Sequence, residues 1–291
     1  MAETLDALLK VTLVLFMVGN LLDMGLRLQL GEALRDLRDV RFVALAVVWG
    51  FVALPLLAVA LARLLPLAHP YAVGLVLLGM TPCAPFLPPM ADRARGDLGY
   101  TAAFMLLASV VTVVYMPFAV PLLVKGLSAD PLTIAKPLVL FLLVPLAIGL
   151  AVQRRSAALA SKLQPVVKKV TGLDTLLMLA LCVVVYGKGF LALEGSYAIG
   201  AQLLFFGAAT VLPYLLGFGL PRDQKTVLSL GMATRNLGAA FAPLFAVPGV
   251  DRRSIVMVAL GVIMQAAFSF GAATFYGRLA PPAAASNGEP S

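Results

Sequence analysis

The stretch Ser229-Leu-Gly-Met-Ala-Thr-Arg-Asn-Leu-Gly-Ala-Ala240 puts a guanidinium, Arg235, between Thr234 and Asn236 inside an otherwise apolar segment. A planar fork of N–H donors suits a carboxylate, sulfonate or phosphate, and the flanking hydroxyl and amide add neutral hydrogen-bonding groups. At bilayer depth a charge costs ~2.5–3.5 kcal/mol on insertion scales, so it normally faces a bundle interior or a wet cavity. Arg235 is about as far from Gln224 at one end of its segment as from Ala246 at the other, so snorkelling to either surface is difficult. A structural ion pair is the competing reading, with Asp23 as the candidate partner. Thr234 and Asn236 serve equally well as ligand contacts or as partners for a broken backbone.

The second chemistry-bearing stretch is Thr81-Pro82-Cys83-Ala84-Pro85-Phe86-Leu87-Pro88-Pro89. Each proline removes a backbone donor and clashes with the preceding turn, so no intact helix runs through it. Backbone groups freed at membrane depth survive only inside protein or facing a wet cavity. The expected substrate-binding set is therefore Thr81, Pro82, Cys83, Pro85 and Phe86 from this break, and Thr234, Arg235 and Asn236 from the other. Gln265, in the last apolar segment, joins them, and Asn20 and Asp23 are weaker candidates. No nucleophile stands near a base, no His or acidic cluster suits a metal, and no glycine loop precedes a phosphate-binding residue. Neither an enzyme, a cofactor nor a metal centre is expected. His69 falls in a loop, and Cys83 and Cys182 lie in apolar segments that form no disulfide framework.

The elements that must hold these residues are membrane helices. The 291 residues are 61% hydrophobic and 12% charged, with a mean hydropathy of +0.99, which defines an all-α polytopic integral membrane protein. Apolar runs divide it into about nine segments: 4–28, 40–65, 70–96, 98–124, 132–153, 163–190, 196–220, 222–247 and 251–279. The first carries acids where a signal peptide carries bases, so it reads as a retained span. Residues 1–280 form one transmembrane domain, and 281–291, rich in Ala, Pro and Ser, form a disordered cytoplasmic tail. The net charge of +8 resides in short loops, which points to membrane orientation and not to nucleic acid. Arg27, Arg35, Arg93, Arg154, Lys168 and Lys225 lie on the more basic set of alternate loops, and Arg63, Lys136 and Arg252 on the other. That bias places the N-terminus outside and the C-terminus in the cytoplasm; the expected location, which the resemblance described below implies, is a bacterial inner (plasma) membrane.

The two breaks, in the third and eighth segments, resemble each other. Pro82 stands as far before Asp97 as Asn236 does before Asp251, and each Asp is placed to cap the next helix. Ala53-Leu54-Pro55-Leu56-Leu57 is echoed by Val211-Leu212-Pro213-Tyr214-Leu215. With four segments in the first half and five in the second, the pairing implies an inverted repeat whose first half lacks its first helix. Paired broken helices in such halves point to a transport site near the midplane.

With these motifs in order, the chain resembles the bile acid/sodium symporter family over nearly its whole length. Met24-Gly25-Leu26, the proline-rich crossing, Arg95-Gly96-Asp97, Asp223-Gln224-Lys225-Thr226 and Gly231 to Asn236 carry the resemblance. It implies a core domain with two crossed broken helices and a panel domain that moves against it. The departures concern sodium. Where sodium-coupled members have a Glu and then a Gln-Asn pair in the second crossing, this chain has Leu230 or Gly231 and then Arg235-Asn236. Leu87-Pro88 replaces a Ser-Asn pair, and Gly50 replaces a Gln, while Thr101 keeps one hydroxyl ligand position. Repulsion between sodium and a guanidinium at ~4–5 Å is roughly 3–4 kcal/mol at an effective dielectric near 20. The expected function is therefore a secondary carrier of a small organic anion, working by alternating access without the usual two-sodium coupling, its coupling ion being sodium or a proton. The alternatives are ordinary sodium symport through rearranged ligands, and a passive channel or receptor on a transporter-like scaffold.

Overall fold

The computed structural model describes residues 2–124, 127, 130–191 and 195–280, and the stretch 281–291, expected to be a disordered tail, lies outside the described residues. Helix α1 (Ala2–Arg27) is followed by a short surface helix, α2 (Leu30–Asp36). Next come α3 (Val40–Val48) and α4 (Leu54–Leu64), joined by a π-helical turn at Trp49–Ala53. The third segment is split into α5 (His69–Gly79) and α6 (Leu87–Arg93), and α7 (Leu98–Leu123) follows. Helices α8 (Pro131–Leu138) and α9 (Val144–Arg155) flank a second π-turn, Val139–Leu143, and the long α10 (Ala157–Leu191) and α11 (Ala198–Leu215) come after them. The eighth segment is split into α12 (Arg222–Ala233) and α13 (Leu237–Ala246), and α14 (Arg252–Leu279) ends the fold.

Among the described residues, 7 continuous helical stretches are long and apolar enough to cross a membrane, and no named strand occurs. The two interrupted segments contribute the shorter apolar helices α5 and α13. Both breaks therefore fall where the sequence reading put them. Asp97 and Asp251 also cap as expected, accepting from the N–H of Tyr100 at 3.0 Å and of Arg253 at 2.9 Å.

Prolines inside continuous spans are handled differently. Pro55 and Pro145 each stand just after a π-turn, whose wider loop relieves the clash with the preceding carbonyl. Pro213, which the sequence pairs with Pro55, lies inside the last turn of α11 with no π-turn before it.

Packing separates into two neighbourhoods. Helix α1 packs chiefly against α9 and α10, whereas α14 packs against α5, α11, α12 and α13. Small residues let backbones approach in the first group. A Cβ on Gly149 of α9 would lie only 2.8 Å from the Cα of Gly25 on α1, so both positions exclude a side chain. The broken helices lie mainly in the second group, and the cavities described below open between the two.

Candidate functional site

The two breaks meet. Gly79 ends α5, and α6 restarts at Leu87 with Pro88 in its first turn, where a missing N–H costs no helical bond. Opposite, α12 ends at Ala233 and α13 begins at Leu237. Between them, Pro82 and Arg235 form an isolated antiparallel bridge. The Cys83 N–H donates to the carbonyls of Gly231 and Thr234, both at 3.0 Å, and the Asn236 N–H donates to Thr81 O at 2.9 Å. Ala84 N–H donates to Thr234 Oγ1 at 3.2 Å. Each break thus satisfies backbone groups that the other has freed, which is what permits irregular chain at this depth. Cys83 adopts φ 67°, a left-handed conformation unusual for a residue with a side chain.

Arg235 is fully buried, with 0% exposure. Its Nη2 donates to Met232 O at 2.5 Å and its Nη1 to Gly79 O at 3.5 Å. Gly79 and Met232 lie in the last turns of α5 and α12, where carbonyls lack helical partners and carry the negative end of the helix dipole. The guanidinium therefore sits across two half-helix C-termini, with its carbon 5.0 Å from the centre of the Phe205 ring. Nε has no hydrogen-bond partner. Asp23, the acid singled out in the sequence, pairs with Arg27 and accepts from Gln164 Nε2 at 2.8 Å.

Most positions where the resemblance expects sodium ligands hold other groups. A Cβ on Gly231 would stand 2.0 Å from the Phe104 ring, so the phenyl group occupies the space of any side chain there. Leu230 is fully buried. A Cβ on Gly50 would meet Pro82 at 3.0 Å and the Met232 methyl at 3.4 Å. The Thr101 hydroxyl is turned back onto Asp97 O at 2.7 Å. Of these positions only Thr101 and Asn236 carry a side-chain oxygen, and the Asn236 Oδ1 is engaged in capping α13.

Beside the crossing lie two neighbouring cavities. The smaller, about 180 Å³, is bordered by Phe16, Met17 and Asn20 of α1, Thr175 and Met178 of α10, Ala84 to Phe86, Arg235 to Leu237, and Gln265. The larger, about 460 Å³, shares Asn20, Pro85, Phe86 and Thr175 with it, and adds Asp23, Arg27, Asp92, Lys168 and Thr171. Asn236 caps α13 by accepting from Ala239 N–H at 3.2 Å, which leaves the start of that helix at the cavity wall. Gln265 uses its Oε1 to accept from the Arg235 N–H at 2.6 Å.

Of the residues singled out in the sequence, Pro85, Phe86, Arg235, Asn236 and Gln265 border the smaller cavity. Thr81, Pro82, Cys83 and Thr234 form the backbone junction behind it. The Thr81 hydroxyl donates back to the Leu77 and Leu78 carbonyls of the preceding helix α5 at 3.4 and 3.3 Å. The sequence reading passed over the α10 wall. Lys168, Thr171 and Thr175 recur at helical spacing, and that periodicity was the available signal. Cys83 is buried and unpaired, and Cys182 lies on α10 with its side chain outside those described.

An all-helical membrane protein whose polar cavity lies beside two mutually satisfied helix breaks has the make-up of a membrane transporter. The sequence profile of the Sodium Bile acid symporter family matches residues 12–193, and the chain belongs to that family. It is 23% identical over 264 residues to a probable chloroplastic sodium/metabolite cotransporter of Oryza sativa subsp. japonica, covering 89% of this chain and 62% of that protein. It is 27% identical over 238 residues to an uncharacterized sodium-dependent transporter of Bacillus subtilis (strain 168), covering 77% of this chain and 73% of that one. The chain thus spans less than two thirds of the rice protein.

Proposed function

We propose that this protein is a secondary carrier of a small organic anion that works by alternating access without sodium coupling. The observation that carries this reading is the Arg235 guanidinium bonded to Gly79 and Met232 carbonyls at both half-helix C-termini. Carbonyls gathered at such ends are the groups that coordinate a coupling cation in carriers built on broken helices. A guanidinium there supplies the same charge permanently. The Phe104 ring against Gly231 supports the reading, since it leaves no room for a carboxylate.

On this reading the chain carries an inverted repeat of four and five helices with α5–α6 and α12–α13 as its crossed pair. A core containing both breaks moves against a panel of α1, α8–α9 and α10. The substrate occupies these neighbouring cavities. Arg27 and Lys168 attract its negative charge, Asn20, Thr171, Thr175 and Gln265 offer neutral polar contacts, and the N-terminus of α13 adds its dipole. Arg235 acts on the site as a fixed charge at the wall of the smaller cavity, with Nη1 and Nη2 each bonded to a carbonyl. With the more basic loops in the cytoplasm, as their charge bias supports, the larger cavity opens inward.

The two relatives, named as a sodium/metabolite cotransporter and a sodium-dependent transporter, favour a second reading, sodium symport through rearranged ligands. Uptake of radiolabelled anions into proteoliposomes, with external sodium replaced by potassium or choline, separates them. Retained uptake is expected, and uptake that collapses without sodium would favour the second reading. Counterflow of trapped against external substrate tests for a carrier, since a passive channel gives none.

A further inference from the structure

One titratable group near the cavity has no role in the scheme above. The buried face of α10 carries Thr171, Asp174, Met178 and Leu181 at helical spacing. Thr171 lies against Gly19 of α1, and Met178 borders the smaller cavity beside Phe16 and Met17. Asp174 lies between them, and its chain neighbour Thr175 lines both cavities. Asp174 therefore sits at the depth of the helix crossing. It is 9% exposed, and its Oδ2 is buried without a hydrogen-bond partner.

Among the described side chains, the other charged groups on α10 and on the elements packed against it lie elsewhere. On α1, Lys10 is exposed towards the N-terminal end, and Asp23 is paired with Arg27. On α9, Arg154 and Arg155 are exposed at the helix end. On α14, Arg252 and Arg253 lie at one end and Arg278 at the other. On α10 itself, Lys162, Lys168 and Lys169 are exposed. A carboxylate without a partner at this depth is costly, whereas a carboxylic acid is neutral. Gaining or losing a proton therefore changes how readily the α1–α10 interface forms.

We propose that Asp174 is a proton-binding site that couples anion transport to the proton gradient. This rests on the sodium-independent carrier reading, which leaves the cycle without a mobile cation. An imported anion works against an inside-negative membrane potential, and one proton carried with it cancels the charge of a monoanion. In each cycle the Asp174 carboxylate takes one proton from the outer solution, forming an O–H bond. It returns that proton to the cytoplasm when the anion leaves.

The test uses the purified full chain, Asp174→Asn and Asp174→Glu. Infrared spectra recorded across a pH titration read carboxyl protonation without substrate. The wild type should show a protonated-carboxyl band that titrates and that Asp174→Asn lacks, while Asp174→Glu should show it shifted. Identical titrations of wild type and Asp174→Asn would overturn the proposal. In proteoliposomes, taurocholate is a suitable probe because its sulfonate stays ionised and does not leak as a free acid. An acid-outside gradient should drive its accumulation by the wild type, that accumulation should be lost in Asp174→Asn, and counterflow should persist in the variant. Equal gradient-driven accumulation by wild type and Asp174→Asn would also overturn the proposal. Uptake that needs sodium would instead overturn the carrier reading on which it rests, an outcome distinguishable because the infrared titration is independent of sodium.

Discussion

At the residue scale, Arg235 does two things that a neutral side chain of similar size cannot do together. It satisfies carbonyls from two helices, and it places a positive charge at the negative ends of both. Truncation in Arg235→Ala strands those carbonyls in a fully buried site, at roughly 1–3 kcal/mol for each acceptor left unpaired. A lowered thermal unfolding temperature in detergent is the expected result, and a variant as stable as the wild type would show that the bonds contribute little. Gly231 is the companion case. A methyl group there must displace the Phe104 ring from 2.0 Å, so Gly231→Ala should destabilise by about 1–3 kcal/mol, as overpacked cores do, in the same measurement.

At the element scale, helix ends explain how the breaks and turns are held. Asp39 caps α3, accepting from the N–H groups of Arg41 and Phe42, both at 3.1 Å. Its other oxygen accepts from the Tyr100 hydroxyl of α7 at 2.9 Å, joining two helices at one end of the bundle. Burial pushes the Asp39 pKa upward, but the Phe42 N–H, the Tyr100 hydroxyl and the Arg41 N–H and charge together outweigh it and hold it below the ordinary carboxylate value. A depressed folded-state pKa means stability that is present above the unfolded value and lost as pH falls through the folded one. Asp39→Ala should therefore lower stability by about 1 kcal/mol at neutral pH. That difference should shrink on acidification below the usual carboxylate range, when unfolding is followed as a function of pH. A gap between variant and wild type that persists in acid would assign the loss to packing.

At the scale of the whole molecule, two helix groups face each other across neighbouring cavities of about 460 and 180 Å³ that share Asn20, Pro85, Phe86 and Thr175. Transport by relative motion of those groups requires the space to empty and refill. Thr175 lines both cavities from α10, while Asn236 and Gln265 face it from the opposite group. Thr175→Trp should fill the space and abolish both counterflow and ligand-induced thermal stabilisation, with the protein still folded. A ligand that stabilises this variant as much as the wild type would place the substrate elsewhere.

Much of this protein was legible in the chain itself, because a bilayer leaves local chemistry few options. Prolines at 82, 85, 88 and 89 forbid a continuous helix whatever surrounds them, and Asp97 and Asp251 announce the helices they cap. The seven continuous apolar stretches follow from length and hydropathy alone. What Arg235 touches was not legible, since its acceptors, Gly79 and Met232, are backbone carbonyls and any residue supplies a carbonyl. Nor did the sequence single out Asp174, a lone acid a few residues beyond Lys168 and Lys169 in the sixth apolar segment. Only the packing of α10 on α1 made it a buried, unpartnered carboxyl group. The chain by itself determined where helices run and where they must break. Tertiary structure alone decided which breaks satisfy each other and which charge stands in the space between them, because those depend on contacts between residues far apart in sequence.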